Sequence, residues 1–247
     1  MSAYNWTIEW ARVARVRTLA KLEIGSTNAE AKSLFSDLGH RSLVIADHQT
    51  SGRGRGDHDW RDGAGHALLS SWVFESERAP QPITSALIGL ALFESVKKTW
   101  PRLRWALKAP NDLHVTDESG KTAKKLAGLL IELVSQSPKT AVIVGLGMNV
   151  NGAPQGTRPY EATSLASELS AKGLGLTESE WNSFLTAWIR ECETALKNGL
   201  ESKLTAGARE GLLKALSRHP EYENLDSVGE DGSLQFKNGR KISWTEL

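Results

Sequence analysis

The sequence predicts an α+β fold, a sheet of buried strands with helices beside it, and three observations carry that prediction. Three apolar, β-rich runs stand out: "SLVIA" from Ser42, "ALLSSWVF" from Ala67 and "TAVIVGLGMNV" from Thr140. Each is bounded by Gly, Asp, Asn or Pro, as strands of one sheet are. Helical periodicities lie between them, and the 247 residues suffice for one good-sized core with a small appendage.

Taken in order, "STNAEAKSLFSDL" reads as a helix with Ser26 or Thr27 as N-cap and Leu34, Phe35 and Leu38 as its apolar stripe. "PITSALIGLALFESVKKTW" repeats Ile88, Leu92 and Val96 at helical spacing and ends in lysines, which suit a helix C-terminus. "LRWAL" reads as a strand running into the turn "KAPND". "KKLAGLLIELV" fits helix or strand by periodicity, and its strand-like flanks favour strand. After Asn149, the Gly-, Pro- and Thr-rich "NGAPQGTRPYEATS" reads as a surface connection. "TESEWNSFLTAWIRECETAL" then opens with a Thr177/Glu180 capping box and sets Trp181, Leu185, Trp188 and Ile189 on one face. The tail alternates in short segments split by "EDG" and "KNG", two hairpin turn signals, and so forms a small β-module. The division expected is a domain over 1–200 and a small C-terminal helix and β-hairpin module over 201–247.

Composition narrows the function classes. With 40% hydrophobic and 24% charged residues the chain reads as globular, and a formal net charge of +1 gives no overall basic field for nucleic acid. A lone cysteine, Cys192, excludes an intramolecular disulfide, and no Cys-x-x-Cys or His-x-x-x-His spacing offers a zinc site. The N-terminal residues lack a signal-peptide core and no apolar run reaches membrane-spanning length. The expectation is a cytoplasmic location, with no membrane and no DNA as partner, and a monomer or homodimer.

Four stretches could carry chemistry. "SGRGRG" places Gly52, Gly54 and Gly56 around Arg53 and Arg55 after the first strand. It is either a solvated turn or a loop that closes over an anion, since glycine lets backbone N–H groups approach a phosphate and arginine adds charge-assisted contacts. It is neither a Walker loop nor a dinucleotide fingerprint. "KAPNDL" gathers Lys108, Asn111 and Asp112 about a proline-stiffened turn, which suits a nucleotide or simply a turn bonded to its own backbone. "KKLAG" sets lysines at the edge of a buried segment, and "GLGMN" ends a strand with two glycines and Asn149, allowing close approach by a ligand or a tight bend.

In order along the chain, "STN", "QTSGRGR", "KAPND", "KLAG" and "GLGMN" resemble the motif series of the biotin protein ligases, over roughly Leu22 to Asn151. That resemblance implies a mixed central sheet with flanking helices, of the class II aminoacyl-tRNA synthetase-like kind, with a small, shortened C-terminal β module. It implies ATP with its Mg2+, and biotin as substrate, joined as biotinyl-5′-adenylate before transfer to a lysine of a biotin carboxyl carrier domain. By the same resemblance Ser26, Thr27, Asn28 and Gln49 meet the biotin head, while Arg53, Gly54 and Arg55 form a loop that orders over the ligand. Lys125, the "KLAG" lysine, contacts carboxylate and α-phosphate, and with Arg55 it is the expected catalytic pair; Gly128 follows in the biotin site. Trp60, Asn111 and Asn149, with Arg53, Arg55 and Lys125, are expected on the nucleotide side. No metal ligands are identified.

Two departures stand out. The family's Lys-Trp-Pro-Asn-Asp here has Ala109 in place of the aromatic, and Gly56 and Asp57 follow Arg55 where a basic residue and a glycine are usual. Only some two dozen residues precede "STN", so no helix-turn-helix is expected there. Lipoate ligases and octanoyl transferases share the fold and a lysine at the matching strand; the Gly-Arg loop and the Pro-Asn-Asp turn favour biotin. A catalytically weak biotin-binding module is the other reading.

Overall fold

The computed structural model describes residues 2–56, 60, 65–136, 139–154 and 161–247. In chain order it contains α1 (Ala3–Val13), β1 (Arg17–Ile24), α2 (Thr27–Leu38), β2 (Ser42–Gln49), β3 (Ala67–Ser76), α3 (Thr84–Thr99), β4 (Trp105–Lys108) and β5 (Asp112–Thr116). There follow β6 (Ala123–Gln136), β7 (Lys139–Asn149), α4 (Leu165–Ser170), α5 (Glu178–Asn198), α6 (Ala206–Leu216), β8 (Leu225–Val228), β9 (Leu234–Phe236) and β10 (Lys241–Ile242). The chain groups into two compact units: Met1–Ala79 with Leu126–Leu185, and Pro80–Lys125 with Thr186–Leu247.

The first unit is built on strands in the order β1-β2-β3-β7-β6. The β1–β2 pair is parallel, and the pairs β2–β3, β3–β7 and β7–β6 are antiparallel, so the sheet is mixed, as expected. Side chains alternate across such a sheet. Val44, Val73 and Ile143 point to the face that α2 covers with Ala31, Phe35 and Leu38. Trp72, next to Val73, points the other way and meets Trp10 of α1 edge to face at 5.9 Å. On that side Trp181 of α5 donates from Nε1 to Thr7 Oγ1 of α1 at 2.9 Å, so a buried indole is satisfied. The run "KKLAGLLIELV" is strand β6, and α2 and α3 lie where the periodicity put them. The Thr177/Glu180 capping box forms, with Glu180 N reaching Thr177 Oγ1 at 3.2 Å and Thr177 N reaching Glu180 Oε2 at 3.2 Å.

In the second unit β4 and β5 form a hairpin that pairs Lys108 with Asp112 across its end. Helix α3 buries Leu87, Ile88, Leu92 and Val96. Trp105 donates from Nε1 to the Trp100 carbonyl at 3.0 Å, fixing the strand that enters the hairpin to the end of α3. Gly199 lies against Thr84 at the start of α3, whose Oγ1 donates to the Gly199 carbonyl at 3.0 Å; a side chain at 199 would collide with it. The tail forms a three-stranded antiparallel sheet, β10-β9-β8, one strand more than a single hairpin. Its turns use Gly232 and Gly239 at φ of +81° and +84°, the conformation that "EDG" and "KNG" foretell. Among the described residues no helix is long and apolar enough to cross a membrane.

Candidate functional site

The first unit gathers its polar groups at the N-terminus of α2. Ser26 is the N-cap: its backbone is extended and its Oγ accepts from Ala29 N at 3.4 Å. Thr27 and Asn28 follow, both buried, and a buried polar group needs partners. Thr27 donates twice to Gln49 Oε1, from N at 2.7 Å and from Oγ1 at 3.1 Å. Ser71 of β3 stands beside them, with Oγ 2.8 Å from Thr27 Oγ1 and 2.5 Å from Asn28 Oδ1. Asn28 Nδ2 donates to the Leu130 carbonyl at 3.1 Å and to Glu132 Oε2 at 2.8 Å, both on β6. Glu132 Oε1 in turn accepts from Lys32 Nζ at 2.7 Å. Gly145 lies under the Asn28 amide, and any side chain there would strike it.

Beside this network the sheet is bare. Gly128 of β6 faces Gly147 of β7, so two neighbouring strands present backbone instead of side chains. The Trp60 ring covers Gly147 so closely that a Cβ there would come within 2.6 Å of it. The indole Nε1 of Trp60 is buried and has no hydrogen-bond partner among the described residues, leaving a donor in hand. The Gly-Arg loop leaves β2 through two backbone bonds that tie it to the segment before α2, Thr50 N to Ile24 O and Ser51 N to Gly25 O, each 2.9 Å. Trp60 N closes back onto Gly52 O at 3.0 Å. Gly52 is buried against the Trp60 carbonyl, where a Cβ would sit at 2.7 Å. Between these two ties Arg53, whose backbone forms a single β-bridge, and Arg55 are exposed, and their side chains have no hydrogen-bond or ion-pair partner among the described residues. Asp57 lies outside the described residues. Asn149 is buried and spends its Nδ2 on the Thr163 carbonyl at 3.1 Å, which fastens the chain leading into α4.

Asn111 and Lys125 belong to the second unit. Asn111 sits in the turn between β4 and β5, after a cis Ala109–Pro110 bond. Lys125 Nζ lies 2.7 Å from Asp112 Oδ1, the first residue of β5. Lys108, opposite Asp112 in register, pairs with Glu221 Oε2 at 2.7 Å. Ala109 is buried, and its carbonyl accepts a long bond from Tyr222 Oη at 3.5 Å. Behind the hairpin His114 and His219 stack edge to face, 4.8 Å between centroids. Burial pushes His114 down to about 3, with His219, Lys125 and Lys108 adding to the effect.

Thus Thr27, Asn28 and Gln49, chosen from sequence, converge in one hydrogen-bonded cluster through Ser71, with Ser26 beside it as the cap of α2 and Gly128 and Trp60 in the same unit. Ser71 and Glu132 complete the cluster and carry no motif. The signal for Ser71 was the pair of hydroxyls inside the apolar run "ALLSSWVF", which burial obliges to find partners.

Residues 21–149, just over half of the chain, match the model of the biotin/lipoate A/B protein ligase family. The chain is 32% identical over 181 residues to a biotin–[acetyl-CoA-carboxylase] ligase of Mycobacterium tuberculosis, covering 70% of this chain and 62% of that one. It is 30% identical over 132 residues to the bifunctional ligase/repressor BirA of Bacillus subtilis, covering 52% and 38%. The matches therefore span between about a third and under two thirds of these relatives' own length. The fold is that of a biotin protein ligase from Aquifex aeolicus solved in complex with biotin and ATP, with a TM-score of 0.67, 22% identity and coverage of 92% of this chain and 95% of that one.

Proposed function

The chain belongs to the biotin/lipoate A/B protein ligase family, and from that premise we propose that it is an ATP-dependent biotin protein ligase. One observation carries the proposal: the cluster of buried Thr27, Asn28 and Ser71 with half-buried Gln49 beside a glycine floor, in the same unit as a loop whose two arginine side chains have no hydrogen-bond or ion-pair partner among the described residues. A cyclic urea offers two N–H donors and one carbonyl acceptor, and such a cluster of fixed hydroxyls and amides suits it.

In the proposed reaction a biotin carboxylate oxygen attacks the α-phosphorus of ATP, the bond to pyrophosphate breaks, and biotinyl-5′-adenylate forms. The amine of a lysine on a biotin carboxyl carrier domain then attacks the acyl carbon and AMP leaves. Both reactants of the first step are anions, so fixed positive charge and positioning do most of the work. Arg53 and Arg55 meet the carboxylate and phosphate as the loop closes, and Lys125 supplies a further cation once it exchanges Asp112 for the ligand. Trp60 offers its Nε1, and Asn111 serves the nucleotide side. Asn149 stands at the matching strand end on the nucleotide side, with one of its two Nδ2 hydrogens holding the segment at Thr163. Magnesium enters with the ATP phosphates; among the described residues no three His, Cys, Asp or Glu side chains gather to hold it alone. Residues 1–200 form the proposed catalytic region, 201–247 the appended module, and the location proposed is cytoplasmic.

The test is mass spectrometry of a carrier domain incubated with the protein, ATP, magnesium and one of biotin, lipoate or octanoate. A mass gain with biotin alone is expected. A gain with lipoate or octanoate in its place would move the chain to the other branch of its family, and no gain from any acid would remove the ligase reading.

A further inference from the structure

We propose that Glu132 is a positioning residue that sets the direction of the hydrogen bonds in the cluster and thereby its preference for a ligand that donates. This rests on the biotin-ligase reading above. A carboxylate and a backbone carbonyl only accept, so the face of the Asn28 amide turned to Glu132 and Leu130 must be Nδ2. Both Nδ2 hydrogens are then used, and Oδ1 necessarily faces Ser71. A hydroxyl has one hydrogen. Ser71 directs its own to Asn28 Oδ1, the nearer acceptor at 2.5 Å, instead of to Thr27 Oγ1 at 2.8 Å. Thr27 has already given its hydroxyl hydrogen and its N–H to Gln49 Oε1. What remains for a ligand is lone pairs on Ser71 and Thr27, with Gln49 Nε2 as a donor. The order runs from Glu132 through Asn28 to Ser71, and it reverses if the Asn28 amide turns over.

Lys32 makes the idea testable, because it competes for the same carboxylate, at 2.7 Å from Oε1. In Glu132→Gln a single oxygen must serve both neighbours. The charged Lys32 takes it, and the new –NH2 is left facing Asn28 Nδ2, donor against donor. The amide then either keeps Nδ2 on the Leu130 carbonyl with a donor facing a donor, or turns over and sets Oδ1 against that carbonyl; in both cases it no longer holds Oδ1 firmly for the Ser71 hydrogen. In Glu132→Gln with Lys32→Met the competition is gone, the oxygen returns to Asn28, and the original order is restored.

The experiment measures steady-state adenylation in wild type, E132Q, K32M and the double variant, with thermal melts as controls for folding. E132Q is expected to raise KM for biotin about tenfold or more, with KM for ATP unchanged, because a mispaired buried polar group is costly. K32M is expected to stay within about twofold of wild type, and the double variant to recover most of the loss. A biotin KM for E132Q within about twofold of wild type would overturn the proposal, as would a double variant no better than E132Q, the pattern of a merely structural ion pair. Should the wild type take no biotin, the functional reading falls instead. Glu132 is then judged by NMR: exchange at the Asn28 Nδ2 hydrogens should be faster in E132Q than in wild type and the double variant, and equal exchange in all three would end the idea.

Discussion

Lys125 and Asp112 form a close ion pair, Nζ to Oδ1 at 2.7 Å, with 27% and 16% of the two side chains exposed. A cation held this way is oriented yet already neutralised. On the proposed reading an anionic ligand shares or displaces this carboxylate, so the pair holds the ammonium where a phosphate or carboxylate would receive it.

Lys125→Ala is therefore expected to slow adenylate formation by about a hundredfold or more while shifting stability by only about 1 kcal/mol, the scale of a part-exposed ion pair. Pyrophosphate release beside a circular-dichroism melt checks both. Wild-type adenylation by the folded variant would take Lys125 out of the mechanism.

Arg55 is exposed and has no hydrogen-bond or ion-pair partner among the described residues, so Arg55→Ala is expected to leave stability within about 0.5 kcal/mol of wild type. Its effect falls on the ligand: adenylate forms about ten- to a hundredfold more slowly, or leaks before transfer. Rapid-quench experiments with radiolabelled ATP separate formation from escape. Equal rates and equal retention would assign the loop no part in the chemistry.

Gly147 is required by the Trp60 ring, not by its own backbone angles, since a Cβ would meet the indole at 2.6 Å. Gly147→Ala is expected to destabilise the chain by about 1–3 kcal/mol, as overpacking does. Adding Trp60→Ala should recover most of it. Urea melts of the three variants decide, and a double variant as unstable as Gly147→Ala would locate the strain elsewhere.

The His114–His219 pair gives stability an acid limb. Burial lowers His114 to about 3, and burial lowers His219 to about 4, with Glu221 opposing and Lys108 assisting the second shift. An unfolded histidine takes its proton near pH 6.5, so the unfolded chain binds more protons below that value. The contribution is whole above about pH 6.5 and is lost as pH falls toward about 4 for His219 and about 3 for His114, at up to about 1.4 kcal/mol per pH unit for each imidazole. Urea melts at pH 7, 6 and 5 should show the fall, and His114→Asn should flatten it, whatever it does to stability at pH 7. An unchanged slope in that variant would mean that His114 is not among the groups titrating.

What the sequence disclosed follows from where each element sits. β2, β3 and β7 are flanked by partners and buried on both faces, so they read as continuous apolar runs. β1 is an edge strand, mostly exposed, with "RTLAKLEI" mixing charge and apolar residues in no clear period, and it left no mark on the reading. α1 also passed unremarked, although Ser2 caps it and Tyr4 and Trp10 are buried. The site divides the same way. Ser26, Thr27, Asn28 and Gln49 stand in contiguous motifs, whereas Ser71 and Glu132 reach Asn28 from 43 and 104 residues away, and only the pairing of β3, β7 and β6 brings them in.

The bond from Trp181 to Thr7 joins residues 174 positions apart. A ribosome adding about 5–20 residues per second takes roughly ten to thirty seconds to deliver the second partner after the first. Until β7 arrives the edge of β3 that it pairs stands open, although α1 and α2 are already made to cover the faces, and until α5 arrives the bond from Trp181 to Thr7 is missing. The newborn chain is therefore a natural client for chaperones until its second half emerges, and synonymous changes that slow elongation between β3 and α5 should lower the yield of folded protein without altering a single residue.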